Sequence, residues 1–235
     1  SAAVFEFGDP NLEKPYKILY PASQNDNVTF ATTQNFYEGG FEPGTTPFYG
    51  YMESGMKGKL GHLSGILRFT VSATDGKTSL KSMTVTAESG AIAGEFAVDF
   101  SNGKLTALEG ASSTLNYSFG EGLALTEEGK QFFLVLPCGE YGICSAELRT
   151  TDGRAMVVRF RTSGSSAIKA GVVREFSKVP FKAGAQCTLT PFGREEDDLA
   201  VDIKVYATAP TTVDGEYLVI NNENELMWLC HYGAV

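Results

Sequence analysis

Apolar and polar residues alternate with a period of two along much of the chain. Leu67, Phe69 and Val71, for example, alternate with polar neighbours. The same pattern recurs in the segments 16–20, 82–87, 95–100, 115–119, 156–161 and 199–205. Because successive side chains of a β-strand point to opposite faces, this period predicts strands with one face on a core and the other in water.

One apolar run departs from this alternation. The five residues Phe132 to Leu136 include no polar member. A strand of this composition is typical of the middle of a protein, where both faces of a sheet are covered. We therefore expect a central strand at this position.

Three dipeptides between alternating runs have the composition of tight turns: Asp75-Gly76, Asn102-Gly103 and Asp152-Gly153. Asn, Asp and Gly best tolerate the positive φ angles of a type I′ turn, so each pair predicts a β-hairpin. Hairpins imply antiparallel pairing. The sequence predicts an all-β fold, an antiparallel β-sandwich, with a barrel as the alternative.

The segment 31–65 is rich in glycine, proline and aromatic residues and is predicted to be a long, ordered loop region. Its candidate surface for a ligand or partner comprises Phe36, Tyr37, Phe41, Phe48 and Tyr49. Packing of these rings beneath the loop is the favoured interpretation, because aromatic side chains more often serve burial. The functional alternative is a stacking platform for a sugar or a protein partner.

The pattern divides the chain into three parts. Residues 1–181 form the predicted sandwich domain, residues 182–206 a linker with an extra strand, and residues 207–235 the start of a second, truncated unit. In the last part, Asn222 and Glu225 have the spacing of a helix-capping pair, which predicts a short helix in the tail.

Composition and charge narrow the class of protein. The chain of 235 residues is 43% hydrophobic, which is globular, and its formal net charge is −9. It lacks the basic footprint that a nucleic-acid partner requires. It also lacks a run of about 18 apolar residues, so no transmembrane segment is predicted.

The four cysteines and two histidines contain no recognisable metal or redox motif. Cys138 and Cys144 are the close pair, either bridged across a turn or, as we favour, present as small buried thiols. Of the two histidines, His62 and His231, the first has no second histidine or carboxylate at ligand spacing. We predict no catalytic residue, no metal site, no cofactor and no enzymatic activity. A glycosidase-like site made of two carboxylates distant in sequence but close in space would leave no motif in the chain.

Several segments, taken in order, resemble the fimbrillin-like proteins of Bacteroidetes, the type V pilin superfamily. They are YKILYPA at 16–22, QNFYEGGF at 34–41, HLSGILRF at 62–69, AGEFAVD at 93–99 and FLVLPCGEY at 133–141. Cys138 and Glu140 stand where that family usually has Pro and Thr. Neither difference threatens the fold.

The resemblance implies a Greek-key, transthyretin-like sandwich and a subunit exported to the cell surface, the outer membrane or a fimbrium, usually as a lipoprotein. Its expected partners are other fimbrial subunits or ligands on host or bacterial surfaces. Assembly would proceed by strand addition, in which a sheet edge gains backbone hydrogen bonds from a neighbouring subunit. The alternative function is a glycan-binding surface module of a polysaccharide-utilisation system.

Overall fold

The computed structural model describes residues 15–21, 25–52 and 60–189, and beyond these 200–202, 209, 211, 213–214, 217–218, 220 and 225. Almost all of the regular structure in these residues is β-strand, as predicted, with one short 3₁₀ turn at Gly164–Ser166. The strands are β1 (Tyr16–Tyr20), β2 (Asn27–Phe30), β3 (Thr33–Asn35), β4 (Phe48–Met52), β5 (Leu60–His62), β6 (Ser64–Ser72), β7 (Ser79–Ala87), β8 (Gly94–Asp99), β9 (Lys104–Ala107), β10 (Thr114–Ala124), β11 (Lys130–Pro137), β12 (Ile143–Thr150), β13 (Ala155–Arg161), β14 (Val172–Glu175), β15 (Val179–Pro180), β16 (Gln186–Thr188), β17 (Ala200–Asp202), β18 (Val213–Asp214) and β19 (Tyr217–Leu218).

Two large sheets form the sandwich. The six-stranded sheet has the order β16-β13-β12-β7-β10-β3, and the central sheet has the order β11-β6-β14-β17, with β15 also paired to β6. The chain alternates between these sheets, so β12 returns to pair with β7 and β11 with β6. This interleaving links the two sheets of an all-β sandwich through connections that cross between layers. Pairing is mainly antiparallel, but β3 is parallel to β10, β16 to β13, and both β14 and β15 to β6.

The first hydrophobic core lies between the two large sheets. Alternate side chains of both sheets meet there, and the largest buried ones include Phe69, Met83, Tyr117, Phe132 and Phe160. The rings of Phe69 and Phe132 stack with centroids 5.4 Å apart. Burial of this kind supplies the main favourable term in folding.

A second core lies on the other face of the central sheet. Two three-stranded sheets contribute to it, one with the order β1-β4-β5 and the other β2-β8-β9. Phe30, Phe48 and Phe96 from these sheets pack with Ile66 and Val135 of the central sheet. The fold is thus a three-layered β-structure whose middle layer is covered on both sides.

The continuous apolar run behaves as predicted. In β11, Phe132 and Leu134 belong to the first core, whereas Phe133 and Val135 belong to the second. Each of these side chains is at most 3% exposed. A strand buried on both faces needs apolar residues at every position, and this explains the loss of alternation.

Two of the three predicted hairpins are confirmed. Asn102-Gly103 joins the antiparallel strands β8 and β9, and Asp152-Gly153 joins β12 and β13. The third prediction is wrong. Asp75-Gly76 connects β6 of the central sheet to β7 of the six-stranded sheet, so it forms an arch between layers.

The predicted type I′ geometry is also wrong. The glycines of the three pairs have positive φ angles of 63°, 72° and 86°, but Asp26 is the one non-glycine residue with positive φ in the described part of the chain. Side-chain hydrogen bonds give the physical reason. The Asp75 carboxylate accepts the backbone N–H groups of Lys77 and Thr78 at 3.0 and 2.9 Å, which closes a turn by itself.

The region 182–206, predicted as a linker with an extra strand, contains the strands β16 and β17. Strand β16 pairs with β13, and the neighbouring Leu189 is buried in the first core. Strand β17 pairs with β14. The sandwich therefore continues past residue 181. In the last part of the chain β18 and β19 pair as a short hairpin, while Asn222 and most of the predicted helix lie outside the described residues.

Candidate functional site

The five aromatic residues singled out in the sequence do not form one surface. Phe41 and Phe48 are 7% and 1% exposed and belong to the second core. Phe48 packs against the ring of His62 at a centroid distance of 4.4 Å. Because both phenyl rings are used by the core, neither is accessible for stacking on a ligand.

The other three aromatic residues lie in different surroundings. Phe36 is half-buried and packs against Phe119 at the first core, with ring centroids 6.1 Å apart. Tyr49 is half-buried and packs against Phe100 beside the second core, at 6.4 Å. Tyr37 is 50% exposed. Packing therefore accounts for Phe36 and Tyr49, as it does for Phe41 and Phe48, whereas Tyr37 stays exposed.

The outer face of the six-stranded sheet is a polar surface. Whereas the inner side chains of β7, β10, β12 and β13 are buried, the outer ones are exposed or half-buried at every position. We call this surface the open face. It comprises Thr33, Asn35, Ser82, Thr84, Thr86, Thr114, Asn116, Ser118, Ile143, Ser145, Glu147, Arg149, Ala155, Val157, Arg159, Arg161, Gln186 and Thr188.

Strand register arranges the open face in rows that run across the sheet. One row is Gln186, Val157, Glu147, Thr84, Asn116 and Thr33. The next is Thr188, Arg159, Ser145, Thr86 and Thr114. Neighbouring side chains within the rows interact: the Thr84 hydroxyl donates to the Asn116 amide oxygen at 3.2 Å, and the hydroxyls of Thr86 and Thr114 are 3.5 Å apart.

The charge of the open face is opposite to that of the chain. Among its residues, three arginines, Arg149, Arg159 and Arg161, stand against one carboxylate, Glu147, which is a formal charge of +2 on a protein of −9. The carboxylates of Glu42 and Glu88 lie at its margins, where they accept hydrogen bonds from the Asn35 amide and the Ile143 N–H. Arg149 and Glu147 form an ion pair along β12. With its oxygen assigned towards Arg159, the Gln186 amide accepts from Nε at 2.6 Å and from Nη2 at 2.9 Å.

A shallow depression of about 430 Å³ lies in the middle of this face. Its walls are Thr84, Thr86, Ser145, Glu147, Arg149 and Val157. Hydroxyl groups, a carboxylate and a guanidinium thus surround one open space. Such an arrangement can hold a polar ligand through hydrogen bonds and charge.

The two edges of the central sheet are closed in different ways. At β11, the side-chain amide of Gln34 makes the hydrogen bonds that a neighbouring strand would otherwise make. Its Nε2 donates to the Val135 carbonyl at 2.7 Å, and its Oε1 accepts from the Val135 N–H at 3.0 Å. At the other edge, β17 pairs with β14 through the backbone. One edge is therefore sealed by a buried amide and the other by a three-residue strand.

The two cysteines that a turn could have bridged are thiols. Cys138 and Cys144 are unbridged, as is Cys187, while Cys230 lies outside the described residues. Burial raises the pKa of Cys138 to about 12 and also raises the pKa of Cys144. Since the thiolate is the reactive form, these groups have the character of structural rather than reactive cysteines.

Metal-ligating clusters and membrane-spanning helices are both absent from the part of the chain that the structure describes. Within that part, no group of three or more His, Cys, Asp or Glu residues could bind a metal ion. No helix among the same residues is long and apolar enough to cross a membrane.

Comparison with known proteins gives few matches. No known family and no curated protein matches this chain. Among solved structures, it is similar to a proposed cell adhesion protein of Bacteroides ovatus, with a TM-score of 0.45 and 16% sequence identity over 82% of this chain and 72% of that one. A likeness of this size leaves function to be argued from the chain itself, and membership of the fimbrillin-like family stays a prediction.

Proposed function

We propose that the protein is a non-catalytic structural or adhesion subunit of a bacterial cell surface or fimbrium, and that it assembles by strand addition. Export to the surface and attachment as a lipoprotein belong to the same proposal. The sequence segments that resemble fimbrillin-like proteins motivate it. The single observation that carries it is the pairing of β14 with β17.

This pairing supports the proposal, because a short strand extends the central sheet beyond β14. The register joins Val172 to Asp202 and Arg174 to Ala200 in antiparallel fashion, so β17 extends the sheet by one short strand. An edge strand presents unpaired N–H and C=O groups, and any chain of suitable geometry can satisfy them. A strand that follows β16 in sequence fills this edge, and the same strand of another subunit has the chemistry to do so.

Strand addition would give the contact between subunits both affinity and specificity. Backbone hydrogen bonds supply affinity, and alternate side chains fill pockets of the recipient. In the central sheet, Val173 faces the second core and is fully buried. A donor strand paired with β14 would therefore lie next to this core and could bury its own apolar side chains there.

Cross-linking in surface material tests this assembly. Val172→Cys and Asp202→Cys would be introduced with Cys187→Ser and Cys230→Ser, and surface fractions of bacteria expressing the protein would be run on non-reducing gels. Cross-strand partners lie close enough for a disulfide after small adjustment. We expect a ladder of subunit multiples; cross-links confined within single subunits would contradict strand addition between subunits.

The cellular role is tested separately with a deletion strain. We expect altered surface structures in negative-stain images and reduced adhesion, both restored by the wild-type gene. Unchanged images together with unchanged adhesion would overturn the surface role.

A second candidate function, a glycan-binding surface module, is favoured by a different observation. The aromatic residues that first suggested it are largely used in packing, but the open face presents hydroxyl, amide and guanidinium groups in register. These are the polar groups with which proteins hold sugars and their acidic substituents.

A further inference from the structure

We propose that the open face of the six-stranded sheet binds an anionic polysaccharide. Its arginines would contact the carboxylate or sulfate groups, and its Thr, Ser, Asn and Gln side chains would contact the sugar hydroxyls. The inference deepens the proposed function, on which it rests, by naming the class of surface ligand.

The first argument is the rigidity of the platform. The strands beneath the open face are held by a core whose members Met83, Val85 and Leu148 are fully buried. Side chains on one face of a strand repeat about every 7 Å, and neighbouring strands lie about 4.8 Å apart. The polar groups therefore occupy a fixed grid, which reduces the entropic cost of binding an extended chain.

The second argument is charge. An acidic protein repels anions on average, yet the open-face residues include three arginines against one glutamate, Glu147, which pairs with Arg149. Two further carboxylates reach the margins of the face: Glu42 accepts from the Asn35 amide, and Glu88 accepts from the Ile143 N–H. Arg159 and Arg161 are both exposed and lie two residues apart on β13, so they project from the same face. A guanidinium has five donors, and Arg159 retains free ones after its two contacts with Gln186. Such groups match carboxylate and sulfate oxygens in pairs.

The third argument separates a polysaccharide from an acidic protein partner. Protein interfaces centre on aromatic and other large apolar anchors. The open face has one exposed large apolar side chain, Ile143, at its margin. Its centre instead carries the hydroxyl groups of Thr84, Thr86 and Ser145, which line the shallow depression.

Binding would be measured with purified protein by affinity electrophoresis and calorimetry. The probes are polygalacturonate, which carries carboxylates, dextran sulfate, which carries sulfates, neutral dextran, and poly-glutamate as an acidic polypeptide. We expect binding to at least one of the two anionic polysaccharides, weakened by added salt, and none to dextran. The two anionic probes show which acidic group is preferred.

Variants locate the site. Arg159→Ser with Arg161→Ser should lower affinity by at least about tenfold, because charge-assisted contacts are lost. The matched control is Lys104→Ser with Lys169→Ser, which removes two exposed cations from outside the open face and should leave affinity unchanged. Arg159→Lys with Arg161→Lys keeps the charge but loses paired contacts, so an intermediate loss is expected.

A neutral pair of substitutions tests the hydroxyl rows. Thr84→Val with Thr86→Val preserves shape and charge, and we expect affinity to fall several-fold because sugar hydroxyls lose their partners. Wild-type affinity in this variant would overturn the proposal, as would equal losses in the lysine control, equally tight binding of poly-glutamate, or no binding to either anionic polysaccharide. These results would leave the cross-linking and deletion tests of assembly unaffected.

Discussion

The central sheet and the six-stranded sheet are built from the same kind of strand but have different environments. In the central sheet, β11 is covered on both faces and has an apolar residue at every position from Phe132 to Pro137. In the six-stranded sheet, β7 and β12 are covered on one face, and their other face carries Ser, Thr, Glu and Arg. Both sheets contribute to the first core, but only the central sheet is buried on its other face as well, whereas the outer face of the six-stranded sheet is in contact with solvent.

Among substitutions that test this contrast, Phe132→Ala is expected to have the largest effect on the free energy of unfolding. Phe132 is fully buried and lies 5.0 to 5.9 Å, between ring centroids, from Phe69, Tyr117 and Phe119. The cavity and the lost burial should lower the free energy of unfolding by about 3–5 kcal/mol. Denaturant unfolding measures this. A loss below about 1 kcal/mol would contradict the assigned role of the central sheet.

A smaller loss is expected from Gln34→Ala, which removes the amide that seals the β11 edge. The N–H and C=O groups of Val135 would lose their partners inside the protein, at a cost of about 1–3 kcal/mol. Thr33→Ala, an exposed change on the same strand, is the control and should alter stability little. If both variants unfold alike, the Gln34 hydrogen bonds do not contribute as proposed.

A pH-dependent effect is expected at the arch that joins the two sheets. Backbone hydrogen bonds from Lys77, with the Thr78 hydroxyl and N–H, lower the pKa of Asp75 from 3.8 to about 2. Because this pKa is lower in the folded state, the stabilising contribution is complete above the unfolded value and is lost as the pH falls through about 2.

The substitution Asp75→Asn tests this effect. Thermal unfolding should show a lower midpoint for the variant than for the wild type at pH 7, and the two midpoints should converge as the pH falls towards about 2. Glu109→Gln, at an exposed position between β9 and β10, serves as the control. A difference that is constant across this pH range would contradict the proposed hydrogen-bonded carboxylate.

The smallest effect is expected on the open face. Glu147→Gln breaks the ion pair with Arg149, but both side chains are largely exposed, at 39% and 56%. Exposed ion pairs contribute about 0–1 kcal/mol, so chemical denaturation should detect little change. A loss as large as that of Gln34→Ala would show that the open face has a structural role after all.

Predictions from the sequence were most successful where a short segment has a composition that only one kind of structure explains. The run around Leu134 identified the central strand, because only apolar residues suit a strand buried on both faces. The dipeptides Asn102-Gly103 and Asp152-Gly153 identified two hairpins. Asp75-Gly76 has the same composition but bridges two layers, because a turn signal reports a reversal of the chain and not which sheet receives the next strand.

The candidate surface was harder to predict. Rings such as Phe48 attract attention in the sequence, yet exposure is decided by neighbours that come from distant segments. Arg159 and Thr86 were visible as polar positions of alternating strands, but their adjacency to Ser145 depends on pairing between strands far apart in sequence.

The sequence by itself determined the all-β class, the longer strands and the side of each of these that turns inwards, because alternation is a local property of the extended backbone. The short strands β3, β4 and β5 fall in the segment 31–65, which was predicted as a loop region. The tertiary structure alone decided that Gln34 closes the edge of β11, that the central sheet is covered twice, and that one sheet keeps an open polar face. These features arise from contacts between distant residues, such as Gln34 and Val135, which are 101 positions apart, and such contacts leave no local pattern in the chain.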